Sequence, residues 1–125
     1  MGGDNRTVGL WVPVSNAENR RVENRLAGAD ANPYLALATT LGCGLLGIRE
    51  KLTPTEAVKG SAYDFDYELP RNLEEALREM DDCEKLQELF GEKFVKVYCA
   101  LKRCEFEAHF QVISTWEREY LLLNV

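Results

Sequence analysis

Hydrophobic and polar positions alternate near the start of the chain, as they do in a β-strand. Every second residue of the segment 8–14 is a valine or a leucine, and the segment 20–26 also has strand character. Pro13 has no backbone N–H, so it confines the end of the first strand to an edge or a terminus. The turn residues of 15–19 join the two segments. We therefore predict an antiparallel strand pair over about residues 7–26.

A period of three to four residues replaces this alternation after Asn32. Asparagine is a favoured N-cap and Pro33 suits the first helical position, so a helix is predicted over about 32–51. Its glycines each weaken a helix by roughly 0.5–1 kcal/mol, which makes sense where another backbone passes close by. We expect the middle of this helix to be buried on most sides. Its apolar stripe consists of Leu35, Ala38, Leu41, Leu45 and Ile48, and it is widened by Leu37 and Leu46.

Two further helical regions follow a long connector over 53–70. Asn72 and Glu75 have the spacing of a capping box, which starts a helical region over about 72–90 with a second piece beginning near Cys83. The last helix is predicted over about 92–119, and the apolar tail behind it is expected to dock on a protein surface. The predicted apolar face of the last helix comprises Phe94, Val97, Tyr98, Leu101, Ala108 and Val112.

The resulting fold class is α+β, with a two-stranded antiparallel element followed by a subdomain of three to four helices in one domain over 1–125. The net charge of −6 argues against a nucleic-acid-binding protein, which needs a basic face. The most apolar stretch, 33–48, is short for a membrane span, so no membrane partner is expected. The chain has four cysteines without paired spacing and no secretory signal, which predicts reduced thiols, no zinc site and a cytoplasmic protein.

The segment 20–26 carries the candidate chemistry. Strand periodicity directs Arg21, Glu23 and Arg25 to one face, where two guanidiniums flank one carboxylate. Such a surface can hold a divalent cation beside phosphate oxygens. From the spacing alone, an exposed charged face that aids solubility is the more common explanation. One carboxylate is also far fewer oxygen ligands than Mg²⁺ or Mn²⁺ takes.

This charged face, together with Gly3–Arg6 and Ala31–Tyr34, resembles the C-terminal part of a glutamine synthetase-type catalytic domain, the family of glutamine synthetases and γ-glutamylpolyamine synthetases. The resemblance implies that Glu23 is a metal ligand for Mg²⁺ or Mn²⁺. It implies that Arg25 and Arg6 are catalytic residues that bind the glutamyl substrate and its phosphate. Arg6 and Arg21 are then expected at the ATP nucleotide.

The activity implied by the resemblance is ATP-dependent ligation of ammonia, an amine or a polyamine to the γ-carboxyl group of glutamate through γ-glutamyl phosphate. Asn24 and the ending 117–120 are more similar to γ-glutamyl-amine ligases than to ammonia-using enzymes. Two positions depart from the family pattern. Trp11 replaces an arginine that contacts the nucleotide, and Glu18 stands where many ammonia-using members have a lysine. Tryptophan offers one N–H and no charge to a phosphate.

The resemblance also implies further metal-binding glutamates and a histidine upstream of Met1. We therefore expect the chain to be a fragment of a ligase and inactive on its own, with the rest of the ligase or other copies as its partner. The alternative is a standalone, non-catalytic module that binds a full-length ligase. The single histidine of the chain, His109, is not expected to replace a missing metal ligand.

Overall fold

The computed structural model describes residues 5–122 and Asn124. The predicted α+β class is confirmed, because a two-stranded antiparallel sheet precedes the helices. Gly3 and Asp4 of the sequence motif, and Leu123 and Val125 of the apolar tail, lie outside the described residues. The chain divides into two compact units, of which the first ends at Tyr67 and the second begins at Glu68. The elements are β1 (Leu10–Trp11), β2 (Glu23–Asn24), α1 (Pro33–Arg49), α2 (Leu73–Asp82), α3 (Glu84–Phe90), α4 (Glu92–Phe110) and α5 (Thr115–Tyr120).

The strand pair is shorter than the alternation predicts. β1 and β2 have two residues each, whereas strand character extends over 8–14 and 20–26. A 3-10 turn at Ala17–Asn19 occupies the connection. After β2, the Asn24 side-chain oxygen accepts the backbone N–H of Leu26 at 3.0 Å, which closes a local turn. An isolated pair of strands has few partners to extend it, so local turn chemistry decides where it ends.

Helix α1 begins as predicted. The Asn32 side chain accepts hydrogen bonds from the backbone N–H groups of Tyr34 and Leu35 at 3.0 and 3.2 Å, and Pro33 is the first helical residue. These contacts satisfy donors that the first turn of a helix leaves without partners. The helix ends before Lys51, which has a φ of 53°. A left-handed residue at this point turns the chain out of the helix.

The prediction that the middle of α1 is buried on most sides is wrong for this chain. Gly42 and Leu46 are buried, but Leu41, Leu45 and Ile48 are exposed. The periodic pattern identified a helix that is apolar around most of its circumference, and the first unit covers only one side of it. Periodicity gives the faces of a helix but not the number of neighbours available to cover them.

The second unit has a small core between α2, α3 and α4. Leu77, Val95 and Cys99 are buried there, and Met80 and Phe90 pack against them. The expected cap of α2 is confirmed, because the Asn72 side chain accepts the backbone N–H of Glu75 at 2.9 Å. The predicted apolar side of α2 therefore supplies the Leu77 contact that holds this helix to α4.

The last helical region differs from the predicted continuous helix over 92–119. Helix α4 ends at Phe110, and α5 starts after Ser114. Ser114 and Glu117 form a capping box: the Ser114 hydroxyl accepts the Glu117 N–H at 3.1 Å, and the Glu117 carboxylate accepts the Ser114 N–H at 2.7 Å. This reciprocal cap lets α5 start a helix of its own.

The buried side of α4 is also not the predicted one. Val95 and Cys99 face the core, whereas Phe94, Val97 and Leu101 are exposed. Both sides of α4 carry apolar residues, so the pattern alone does not identify the side that meets α2. Cys99 acts as a small hydrophobic residue at the contact, and burial raises the pKa of its thiol.

All four cysteines are free thiols, and Cys43 and Cys104 are exposed. Among the described residues, no helix combines the length and the apolar character that crossing a lipid bilayer requires.

Candidate active-site segment

The strand pair brings the N-terminal segment next to the predicted Arg-Glu-Arg motif. Leu10 pairs with Asn24 and Trp11 pairs with Glu23. The backbone N–H of Arg25 then donates to the Gly9 carbonyl at 2.8 Å, so the antiparallel contact continues past the end of β2. Residues that stand directly opposite each other in such a pair project to the same face of the sheet.

Arg25 is held by two side-chain contacts. Its guanidinium donates a hydrogen bond to the backbone carbonyl of Arg6, and its Nε lies 3.4 Å from Oε1 of Glu23. The Arg25 side chain remains about one-third exposed, with 32% of its surface accessible, and the Glu23 side chain is 46% exposed. The structure therefore joins three of the four predicted site residues, through the main chain of Arg6 and the side chains of Glu23 and Arg25.

The backbone on either side of Arg6 is fixed by its neighbours. The Asn5 side-chain amide donates to the Gly60 carbonyl at 2.7 Å, and its oxygen accepts the Thr7 N–H at 3.0 Å. The Thr7 hydroxyl in turn accepts the backbone N–H of Ala62 at 2.7 Å. Sequence reasoning included Asn5 only as part of the motif Gly3–Arg6 and did not single out Thr7. It missed their contacts with the connector, because those partners lie more than fifty positions away.

Arg21 is not part of this arrangement. It is exposed and precedes β2, so the strand geometry that would align it with Glu23 and Arg25 does not reach it. The part of the predicted charged face that the structure shows is the contact between Glu23 and Arg25. The position of Arg21 follows from the short strand, since the chain between Asn19 and Glu23 forms neither helix nor strand.

Glu23 supplies one carboxylate to a metal site. Its ion pair with Arg25 engages Oε1, and a carboxylate has further lone pairs that a hard cation can use. In the part of the chain that the structure describes, no group of three or more histidine, cysteine, aspartate or glutamate side chains is arranged to hold a metal ion. The donor chemistry thus fits Mg²⁺ or Mn²⁺, and the further carboxylate or histidine ligands of either ion would have to come from outside residues 5–122.

Trp11 is the cross-strand neighbour of Glu23. The indole is half-buried, and its Nε1–H is shielded from solvent without a hydrogen-bond partner in the described part of the chain. A buried donor without an acceptor is unfavourable and uncommon in folded proteins. The position where the resemblance leads us to expect an arginine is therefore occupied by a bulky, uncharged side chain beside the candidate metal ligand.

Comparison with known proteins agrees with the resemblance. Residues 1–121 match the family described as glutamine synthetase, catalytic domain. The chain belongs to this family. The match covers the segment that contains Arg6, Glu23 and Arg25 and continues through both helical units.

Three relatives show which members of the glutamine synthetase family this chain is similar to. It is 39% identical to the glutamate–isopropylamine ligase of a Pseudomonas species, over 93% of this chain and 26% of that protein. It is 37% identical to the γ-glutamylputrescine synthetase of Escherichia coli, over 98% of this chain and 26% of that protein. The glutamine synthetase of Methanocaldococcus jannaschii is 32% identical, over 94% of this chain and 28% of that protein. The chain thus spans about a quarter of the length of these relatives.

Proposed function

We propose that this chain is part of an ATP-dependent ligase that joins an amine to the γ-carboxyl group of glutamate. The observation that supports this proposal is the similarity to two proteins named for such reactions, at 39% and 37% identity. The similarity to glutamine synthetases is somewhat lower, at 32–35% identity. We therefore favour an organic amine or polyamine over ammonia as the second substrate. We further propose a cytoplasmic enzyme that works as a homo-oligomer.

The proposed reaction has two steps. The γ-carboxylate of glutamate attacks the terminal phosphorus of ATP, which forms γ-glutamyl phosphate and releases ADP. The amine nitrogen then attacks the acyl carbon, an amide bond forms, and the phosphate leaves while the amine loses a proton. Both steps concentrate negative charge on phosphate oxygens, so they need cations fixed in advance at those oxygens.

The residues of this chain are proposed to supply part of that charge. Arg25, already held by the Arg6 carbonyl and by Glu23, would donate its free N–H groups to the glutamyl carboxylate or its phosphate. The side chain of Arg6 would bind the substrate and the nucleotide phosphate, and Arg21 would support the nucleotide. Glu23 would hold one Mg²⁺ or Mn²⁺ ion, whose chemistry is to neutralise phosphate charge.

The isolated chain is proposed to be inactive. Its described residues offer no group of three metal-binding side chains, and a divalent cation needs several oxygen ligands. The chain also spans only about a quarter of the relatives that carry the ligase names. Incubating the purified chain with ATP, glutamate and putrescine should release no phosphate above the background without protein.

The catalytic proposal can be tested in a chimera. The 125-residue chain replaces the matching segment of the Escherichia coli γ-glutamylputrescine synthetase, and ATP-dependent ligation is measured with putrescine, isopropylamine and ammonia. We expect ligation with at least one organic amine. Glu23→Gln removes the charge of the proposed metal ligand, and Arg25→Lys removes the planar set of guanidinium N–H donors, so each should lower kcat at least about 100-fold.

Matched substitutions make this result specific. Glu56→Gln and Arg20→Lys change exposed residues of the same chemical types outside the strand pair, and both should keep most of the activity. A chimera that folds and binds ATP but does not ligate any of the amines would contradict the proposal. Equal losses from the site variants and their controls would contradict the assigned residue roles.

A non-catalytic binding module is the second candidate. It is favoured by Trp11, which stands beside Glu23 where the family resemblance predicts an arginine. Immunoblotting of the source cells with an antibody against this chain separates the two candidates. A band several times heavier than 14.2 kDa supports the ligase, whereas a band at 14.2 kDa supports a separate module that binds a full-length enzyme.

A further inference from the structure

Helix α1 carries a continuous row of exposed apolar side chains, which we call the open face of α1. These side chains are between 52% and 82% exposed, although each belongs to a residue type that is usually found inside proteins. At 100° per residue they lie within an arc of about 80°, along nearly the whole helix. The open face consists of Tyr34, Leu37, Leu41, Leu45 and Ile48.

The composition of α1 is that of a helix inside a domain. No charged residue occurs from Pro33 to Ile48, so the helix lacks the polar side with which a surface helix meets water. Its other side contributes the buried Gly42 and Leu46 to the first unit. Within the first unit, one side of α1 is therefore covered, and the open face, which is also apolar, is left without a neighbour.

Gly44 gives a second, independent indication at the edge of the open face. A glycine within a helix costs stability, and this one has no positive φ that would require it. A Cβ atom built at Gly44 would meet no heavy atom within 4 Å. Nothing in the part of the chain that the structure describes therefore explains the glycine, whereas a neighbouring backbone passing close to α1 would.

We infer that the open face of α1 is an interior surface of the ligase catalytic domain, covered by an apolar element of the ligase polypeptide outside these 125 residues. The element approaches α1 most closely at Gly44. This inference rests on the proposed function, because it requires that the chain be joined to the rest of a ligase. The relatives are about four times as long as this chain, so they contain the polypeptide that such a cover needs.

A second copy of the chain is the competing occupant. Interfaces between separately folded proteins have a polar rim around their apolar centre. The open face of α1 has apolar residues at both ends, Tyr34 and Ile48, and no charged residue between them. That composition is closer to that of a domain core than to that of an interface between separately folded proteins.

The test compares one substitution in two settings. Leu41→Glu is introduced into the isolated 125-residue chain and into the chimera with the Escherichia coli γ-glutamylputrescine synthetase, and Tm is measured in both. At a dilution at which the isolated chain is monomeric, Leu41 is exposed, so Tm should change by less than about 2 °C. In the chimera a buried carboxylate should lower Tm by at least about 5 °C or prevent soluble expression.

Two further variants make the comparison specific. Cys43→Glu adds the same charge to an exposed position on the opposite side of α1, and it should lower the Tm of the chimera less than Leu41→Glu does. Gly44→Ala should raise the Tm of the isolated chain, since alanine favours the helix and meets nothing there. The same change should lower the Tm of the chimera, because the approaching backbone leaves no room for a methyl group.

Several results would overturn the inference. These are equal effects of Leu41→Glu and Cys43→Glu in the chimera, a stabilising Gly44→Ala in both settings, and an unsubstituted chimera that is insoluble. If Leu41→Glu dissociates a dimer of the isolated chain but leaves the chimera unchanged, a second copy is the occupant.

The ligation assay distinguishes the two proposals. A chimera with the expected Tm pattern but no ligation overturns only the proposed function, and one that ligates without that pattern overturns only this inference.

Discussion

Trp11 stands at a position where the family resemblance predicts an arginine. Its indole stands opposite Glu23, and the shielded Nε1–H has no acceptor within the described residues. An uncharged ring at this position cannot neutralise a phosphate, whereas a guanidinium can donate charge-assisted hydrogen bonds to one. The consequence can be measured as nucleotide affinity.

In the chimera, Trp11→Arg is expected to tighten ATP binding about tenfold, which corresponds to about 1.4 kcal/mol and is within the range of a hydrogen bond to a charged group. Isothermal titration calorimetry with a non-hydrolysable ATP analogue gives Kd directly. Trp11→Phe keeps an apolar ring without adding charge and should leave Kd unchanged. Unchanged binding by the arginine variant would mean that residue 11 lies away from the nucleotide.

Leu77 provides a second test at the scale of a single residue. It is 3% exposed and packs in the core with Val95 and Cys99. Leu77→Ala should destabilise the second unit by about 2–5 kcal/mol, because it removes buried methyl groups and leaves a cavity. Urea unfolding followed by circular dichroism measures the loss. Leu73→Ala on the same helix is the control, and its 41% exposure predicts a much smaller effect.

The candidate site was only partly predictable at this scale. Residue types and spacing identified Glu23 and Arg25, because residues two positions apart in an extended strand project to the same face. The contact between the Arg25 guanidinium and the Arg6 carbonyl joins residues 19 positions apart, and no local pattern predicts which carbonyl a long side chain will find. The role assigned to Arg21 remains a prediction from family resemblance.

At the scale of elements, helix starts were predictable and helix ends were less so. The caps at Asn32 and Asn72 depend on contacts within three residues, so sequence alone specifies them. The separation of α5 from α4 depends on the Ser114–Glu117 cap outweighing the apolar periodicity that continues through this region. The lengths of the strands were overestimated. The alternation over 8–14 predicts which side chains share a face, whereas the length of a strand depends on how far a partner strand pairs with it.

The N-terminus of α2 gives a testable pH dependence. The Arg71 backbone N–H donates to the Glu75 carboxylate at 2.9 Å, and this bond, helped by the Asn72 side chain, lowers the pKa of Glu75 below the ordinary glutamate value. A lowered pKa in the folded state means that the ionised carboxylate stabilises the fold. This contribution is present above the pKa of an unfolded glutamate, and it is lost as the pH falls through the lowered folded value.

We therefore expect the first turn of α2 to open at acid pH before the Leu77 core unfolds. NMR spectra of the Arg71 and Glu75 amides, recorded as the pH is lowered, should show the loss of these hydrogen bonds. Glu75→Gln should remove this acid transition, and Glu79→Gln on the same helix should preserve it. An identical pH profile for the wild-type chain and Glu75→Gln would exclude the proposed cause.

At the scale of the whole molecule, only a small fraction of the large apolar side chains is buried. Among the described residues, the buried hydrophobic ones are Val8, Leu46, Leu77, Val95 and Cys99, while many large apolar side chains on both units are exposed. Hydrophobic periodicity located the helical regions, although it missed the break between α4 and α5, and it could not reveal this imbalance. The sequence indicates which apolar positions should be buried. It does not indicate whether the residues that bury them belong to the same 125-residue chain.

The isolated chain is accordingly expected to self-associate. Exposed apolar faces and the open edges of a two-stranded sheet both favour contacts between copies. Sedimentation velocity at increasing protein concentration should reveal species heavier than 14.2 kDa, and the proportion of those species should rise with concentration. A single 14.2 kDa species across the full concentration range would contradict this expectation.

The two contacts of Arg25 have an energetic consequence for any anion that binds there. Its guanidinium is already oriented by the Arg6 carbonyl and the Glu23 carboxylate. A free arginine loses rotamer entropy when a ligand immobilises it, at a cost of about 0.5–1.5 kcal/mol. For Arg25 most of that ordering takes place as the chain folds, so an arriving anion meets a donor that is already aligned. Because Arg25 loses little further rotamer entropy on binding, an anion should bind it more tightly than it would bind a freely rotating arginine.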